Sequence, residues 1–202
     1  FEAVLDMMTV GTLNVKPLIT HRYSIDEAIH AYAELSKPET LGVLIQYSVQ
    51  ESAVLQQRTV RLGGSNADYS PKQPVVGFIG AGNYASRVLI PAFKTAGARL
   101  ECVVSSEGVS GVHHGKKAGF SSASTELGDI YNNELINTVA IVTRHDAHAN
   151  QVVEAVKAGK NVFVEKPISI NNDQLTMIND LMNSLSNPPL LMVGFNRRFA
   201  PH

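Results

Sequence analysis

The sequence holds a single cysteine, Cys102, among its 202 residues. One thiol excludes an internal disulfide and any cysteine-cluster zinc site within the chain. Because Cys102 lies in an apolar run, it reads as a core residue. An excess of charge of one sign is also lacking. Lys plus Arg number 17 against 18 for Asp plus Glu, a net charge of -1, so no basic surface for a polyanion is indicated and nucleic acid is not an expected partner. No apolar run approaches the roughly 20 residues that a bilayer span requires. Residues 1–10, FEAVLDMMTV, carry neither a basic region nor a cleavage site, and so show no secretory signal. The expectation is a soluble cytoplasmic protein with no membrane partner. The chain opens on Phe1 inside a helical pattern and stops shortly after a strand pattern, as a fragment of a longer protein would. No internal repeat is present.

What is present is a hydrophobic fraction of 44% beside a charged fraction of 17%, enough to supply a buried core. Residues 1–47 read as helix, strand, helix, strand, a small α/β segment. Val4, Met7 and Met8 recur at helical spacing before Gly11, and residues 15–20 follow as a short strand. Ser24-Ile25-Asp26-Glu27 has the form of a capping box, in which serine and glutamate satisfy each other's helix-start groups. Ile25, Ala28, Ile29, Tyr32 and Leu35 then form one apolar stripe, and residues 41–47 close the segment as a strand. Residues 48–73 shift to polar composition with Gly63-Gly64 and Pro71. They read as a linker, of which residues 54–62 could dock as an extended piece.

From residue 74 onward apolar runs alternate with helical patterns. Strands are expected at 75–79, 100–104, 138–142, 161–165 and 190–194. Helices are expected around 88–96, 149–156 and 175–185, the first two ended by Gly97 and Gly159. Continuous apolar strands separated by helices indicate a parallel sheet covered on both faces. Pro91 falls inside the first helix and should kink it.

The apolar run 75–79 leads directly into Gly80-Ala81-Gly82-Asn83-Tyr84-Ala85 and then into a helix. In a dinucleotide site Gly80 allows the tight turn and Gly82 lets a pyrophosphate approach the backbone. Ala85 allows close helix–strand packing. The amides of residues 80 to 85, Asn83 and Tyr84 included, would then face the phosphates at a helix N-terminus. A structural turn in another α/β domain and the first loop of a methyltransferase share such a string, and both stay open at this point. After the second strand, NAD-selective sites place an acid on the adenine ribose. Ser105, with Ser106 beside it, stands there instead. Serine does not repel a 2′-phosphate, whereas Glu107 would, so the choice between NAD and NADP stays open.

Glu165-Lys166-Pro167 puts a charged pair at the carboxyl end of a buried strand, the edge at which open α/β sheets bind ligands. A lysine there can donate to a substrate hydroxyl or carbonyl oxygen. Burial beside a positive region would lower its pKa into a useful range. A surface Lys–Glu pair at a loop start is the alternative.

Gly80-Ala81-Gly82, the turn 143–148, Ala158-Gly159-Lys160, Glu165-Lys166-Pro167 and Gly194-Phe195-Asn196-Arg197-Arg198-Phe199 occur in the order seen in Gfo/Idh/MocA oxidoreductases, the glucose–fructose oxidoreductase and inositol dehydrogenase group. This stretch resembles the N-terminal half of such an enzyme. The resemblance implies a doubly wound Rossmann domain that binds NAD or NADP for hydride transfer to or from a sugar or polyol. It further implies Lys166 as the catalytic residue at the reacting oxygen, Glu165 near the nicotinamide, a cis Lys166–Pro167 bond, and Arg198 near the active-site entrance. Thr143 and His148 match the family's T-P-N-x-x-H turn, while Arg144 and His145 replace its proline and asparagine. His148 reads equally as a structural helix-start residue or a nucleotide contact. The family's second domain would begin after Arg198, so this chain is expected to bind a dinucleotide without turning substrate over. A non-catalytic dinucleotide sensor or scaffold is the alternative, against which the retention of Lys166 speaks. Oligomeric state is left open.

Leu13 through Ala28 is similar to the C-terminal tail of medium-chain zinc-type alcohol dehydrogenases. That likeness implies that residues 1–47 are such a tail, and the whole a fusion of two oxidoreductase pieces. It carries no zinc ligands into this chain, and His21 reads as structural.

Overall fold

The computed structural model describes residues 2–47, 57–64 and 73–199. The chain divides into two compact units, Phe1–Gln56 and Gln57–His202.

In the first unit, helices α1 (Glu2–Thr9) and α2 (Ala28–Glu34) accompany a parallel pair of strands, β1 (His21–Ser24) and β2 (Val43–Gln46). The strand expected at residues 15–20 lies a few residues later. The Lys16 amide donates to Asn14 Oδ1 at 3.1 Å and Pro17 holds a helical φ, so Lys16–Leu18 winds into one 3-10 turn before pairing begins. The capping box forms as expected: the Ser24 amide and hydroxyl both donate to Glu27 Oε2, at 3.2 and 2.8 Å. The apolar stripe has the expected period but not the expected burial. Ile29 is 84% exposed and Tyr32 72%, and Ala31 is the one buried residue of α2. Two short helices and two short strands offer too little surface to cover it.

The second unit is a seven-stranded sheet. Its strands are β3 (Thr59–Arg61), β4 (Val75–Ile79), β5 (Arg99–Val104), β6 (Ser122–Ser124), β7 (Thr138–Ile141), β8 (Asn161–Glu165) and β9 (Leu191–Gly194). They lie in the order β3-β6-β5-β4-β7-β8-β9. The last six strands are parallel, and β3 adds an antiparallel edge against β6. From β4 the chain steps outward to β5 and β6, then returns to lay β7 on the other side of β4. This doubly wound order opens its ligand crevice at the carboxyl ends of β4 and β7. Within the stretch expected to be a linker, then, residues 59–61 belong to this sheet. Residues 48–56 and 65–72 lie outside the described residues.

Strand β4 is buried at every residue because both of its faces are covered. Val75 and Ile79 join one core with Val139, Ile141, Val152, Val156 and Ile178, under helices α6 (His148–Lys157) and α7 (Asn172–Ser184). Val76 and Phe78 face the other core, with Leu89, Ile90, Val103 and Phe120. That side is covered by α3 (Ile90–Thr95) and α4 (Val109–Ala118). A short helix α5 (Gly128–Tyr131) presses Ile130 on the sheet so closely that a Cβ at Gly77 would meet it at 2.8 Å. Strand β6 and helices α4 and α5 add to the expected elements; their periodicity is too weak to show in the sequence. Pro91 follows a π-helical turn, Ala85–Leu89, and sits in the first turn of α3. The wider turn relieves the crowding that a proline ring imposes on the carbonyl four residues back.

Candidate functional site

The two glycines of the loop after β4 do opposite things. Gly80 has φ +105°, its amide donates to Val104 O at 2.8 Å, and a Cβ there would stand 2.4 Å from Val142 O. Only glycine fits so close to the backbone beyond β7. Gly82 has nothing within 4 Å of its Cβ direction, and it is exposed together with Asn83 and Tyr84. Ala85 is 0% exposed, so the turn is held from beneath and open above. The first helical amides point into that opening without intrahelical partners, which suits a diphosphate. The residues present therefore fit the dinucleotide that the loop pattern implies.

Beside this loop a cavity of 330 Å³ is lined by Tyr84, Val142, Thr143, His145, His148, Glu165, Lys166 and Asn196. It brings together five residues expected from the sequence: Tyr84, Thr143, His148, Glu165 and Lys166. Val142, His145 and Asn196 join them unexpectedly, although His145 and Asn196 stand inside the motifs 143–148 and 194–199. Glu165 pairs with Gly194 across β8 and β9, where a Cβ at Gly194 would meet Glu165 Oε1 at 2.6 Å. The glycine of the last motif makes room for this carboxylate. Lys166 is exposed, so the burial expected around its ammonium is not supplied by the described residues. The Lys166–Pro167 bond is cis, as the family resemblance implied.

Thr143 Oγ1 donates to Gln151 Oε1 at 2.6 Å. His148 is 0% exposed. Its Nδ1 lies 2.7 Å from Pro167 O and its Nε2 3.2 Å from Thr143 O. Arg198 does not line the cavity; its guanidinium sits 5.7 Å from the centre of the Phe195 ring. Ser105 also departs from its expected role. It is buried, and its Oγ accepts the Gly111 amide of α4 at 3.1 Å, so it braces a helix start, while Ser106 and Glu107 beside it are exposed. Lys160 is nearly buried, with Nζ donating to Asn133 O at 2.8 Å. Burial pulls its pKa down, opposed by Glu134, and its task is structural.

A larger cleft of 890 Å³ opens at the amino edge of the sheet, among Thr59, Arg99, Glu101 and Asn133. Within it Arg99 and Glu101 are already paired at 2.9 Å. Among the described residues no group of three or more His, Cys, Asp or Glu could hold a metal, and no helix is long and apolar enough to cross a membrane.

Comparison with known proteins agrees with this geometry. Oxidoreductase P35 of Formosa agariphila is 32% identical over 103 residues, half of this chain and 32% of its own length. An inositol 2-dehydrogenase of Rhizobium meliloti is 39% identical over 67 residues, 33% of this chain and 20% of its own. Among solved structures, scyllo-inositol dehydrogenase from Lactobacillus casei with bound cofactor NAD(H) and scyllo-inositol superposes with a TM-score of 0.57 at 26% identity. It covers 64% of this chain, which in turn covers 38% of it. The chain thus spans a third or less of the length of these curated relatives. Residues 75–195, more than half of the sequence, match the family described as an oxidoreductase family with an NAD-binding Rossmann fold. That match closes the methyltransferase alternative for the glycine loop. The chain belongs to the Gfo/Idh/MocA oxidoreductase family, whose NAD-binding Rossmann fold it carries from residue 75 to residue 195.

Proposed function

We propose that this chain holds NAD or NADP over residues 80–85 for an oxidoreductase that acts on a CH–OH group of a sugar or polyol, with Lys166 as its proton-handling residue. One observation carries the reading. Tyr84, two residues after the open Gly82, lines the cavity that gathers Thr143, Glu165 and Lys166. The amides of residues 82 to 85 hold the diphosphate, and Tyr84 and Thr143 flank the nicotinamide end. The bound cofactor supplies hydride acceptance or donation at nicotinamide C4. Lys166 Nζ donates to the substrate oxygen, or accepts its proton, at the carboxyl end of β8. Glu165 lies one residue back at the same edge and lines the same cavity, where its carboxylate would stand near the nicotinamide.

Inositol-type relatives support the polyol class. Residues 1–202 alone bind nucleotide, and turnover belongs to proteins of the relatives' full length. The first 47 residues we read as derived from a medium-chain dehydrogenase tail. That reading rests on the sequence likeness of the stretch Leu13 through Ala28 alone.

The test is a fluorescence titration of the chain with NADH and NADPH, followed by Lys166→Ala in a full-length parent. The expected result is unchanged nucleotide affinity and loss of inositol or sugar oxidation. Full retained turnover in that variant would refute the role given to Lys166, and absence of nucleotide binding by the chain would refute the reading as a whole.

A further inference from the structure

His148 is the residue that the glycine loop and the lysine motif leave unexplained. It opens α6 at the carboxyl end of β7, yet its side chain is as buried as the valines of the core. Each ring nitrogen faces a main-chain carbonyl: Pro167 O at 2.7 Å and Thr143 O at 3.2 Å. Those carbonyls belong to the two loops that border the cavity. One follows β7; the other follows β8, a single residue after Lys166. Carbonyl oxygens only accept, so the ring must donate. A neutral ring carrying its proton on Nδ1 makes the shorter bond, to Pro167. A doubly protonated ring makes both.

We infer that His148 is a positioning residue: by donating Nδ1–H to Pro167 O it holds the loop of residues 165–167 against the Thr143 turn and sets where Lys166 and Glu165 stand beside the nicotinamide. The inference rests on the proposed function and deepens it. Several features of the site fit that task. Although His148 stands in the cavity wall, its side chain is 0% exposed, which favours bracing over ligand contact. His145 is exposed and packs edge-on to it, with ring centres 5.7 Å apart. Thr143 is itself tied to α6 through Gln151, so that turn has a second anchor. The lysine loop has Pro167 O.

This asymmetry makes the test specific. Losing the ring frees the loop of residues 165–167 and with it Glu165, the residue assigned to the nicotinamide half of the nucleotide. The diphosphate cradle at residues 80 to 85 does not depend on it. Affinities of the chain for NADH and for ADP-ribose, which lacks the nicotinamide, therefore separate the positioning role from general damage. His148→Ala is expected to bind NADH about 10-fold more weakly, with ADP-ribose within about 2-fold of the unsubstituted chain.

Two further variants keep one bond each and guard against a chain that does not fold. In His148→Asn the side-chain amide nitrogen reaches the position of Nδ1 and restores NADH binding. In His148→Gln the corresponding nitrogen reaches that of Nε2 and does not. Equal weakening toward both ligands, no change toward either, or rescue by glutamine rather than asparagine overturns the positioning role while leaving the nucleotide site standing. An unsubstituted chain that binds neither ligand overturns the proposed function itself, and the positioning role with it.

Discussion

Alanine placed at Gly80 and at Gly82 should damage the protein in opposite ways, although one residue separates the two. At Gly80 the backbone has φ +105° and the new methyl would stand 2.4 Å from Val142 O. The left-handed conformation costs an L-residue about 1–3 kcal/mol. The contact is with main chain at the end of a central strand, which cannot swing aside, and such overpacking adds about 1–3 kcal/mol. Together these amount to about 2–6 kcal/mol, which at roughly 3 °C per kcal/mol for a domain of this size lowers Tm by about 6–18 °C. At Gly82 no neighbour stands within 4 Å and φ lies outside the left-handed range. Alanine there leaves Tm unchanged or raises stability by up to about 1 kcal/mol through the unfolded chain. Its methyl, however, enters the space assigned to the diphosphate, and NADH affinity should drop by roughly 100-fold, or about 2.7 kcal/mol. Thermal melts and NADH titrations of the two variants measure both effects. A Gly80→Ala chain melting within about 2 °C of the parent would refute the steric reasoning, as unimpaired NADH binding by Gly82→Ala would refute the cradle.

Three other outcomes follow from the same structure. Ser105→Ala should cost about 1 kcal/mol, because the Gly111 amide loses its acceptor, while the ratio of NADH to NADPH affinity stays the same; a changed ratio would return Ser105 to the ribose. Burial pushes the Cys102 thiol up to about 11, with Ser122 opposing and Asp129 and Glu101 adding to the shift. The folded chain should therefore resist a thiol-specific chromogenic reagent at about pH 8 and react once denatured. Since the thiol ionises in the unfolded chain near its ordinary value of 9.0 and in the folded chain near 11, this residue's contribution is intact below the first value. It is lost as pH rises through the second, by roughly 2–3 kcal/mol at most; urea melts of Cys102→Ala that fall just as steeply over that window would contradict this. Finally, a chain beginning at Gln57 should bind NADH as the whole does, since the second unit starts there. One beginning at Pro74 should be measurably less stable in urea, having lost β3 from the edge of β6 and Leu62 from the core.

Much of the nucleotide half is legible in the sequence because its signals are local. A strand buried on both faces is a continuous apolar run, as at Val75–Ile79, and both there and at Asn161–Glu165 the expected and observed strands coincide to the residue. Gly97 and Gly159 end their helices with φ of 86° and 69°, and Ser24 and Glu27 close their box within four residues. Local period does not report what covers a face, however. The stripe on α2 repeats correctly and is still exposed. Nor does it find strands as short as Thr59–Arg61 and Ser122–Ser124, which exist only because neighbours pair with them.

The site divides along the same line. The sequence by itself determined the two glycines, the alanine beneath them and the lysine at a strand end, each defined by its immediate neighbours in the chain. Tertiary structure alone decided that Ser105 turns to Gly111, that Gly194 clears space for Glu165, and that His148 stands between Thr143 and Pro167. The physical reason is that the crevice is assembled by strand order and register. These bring together loops far apart along the chain, and no short-range pattern carries that distance.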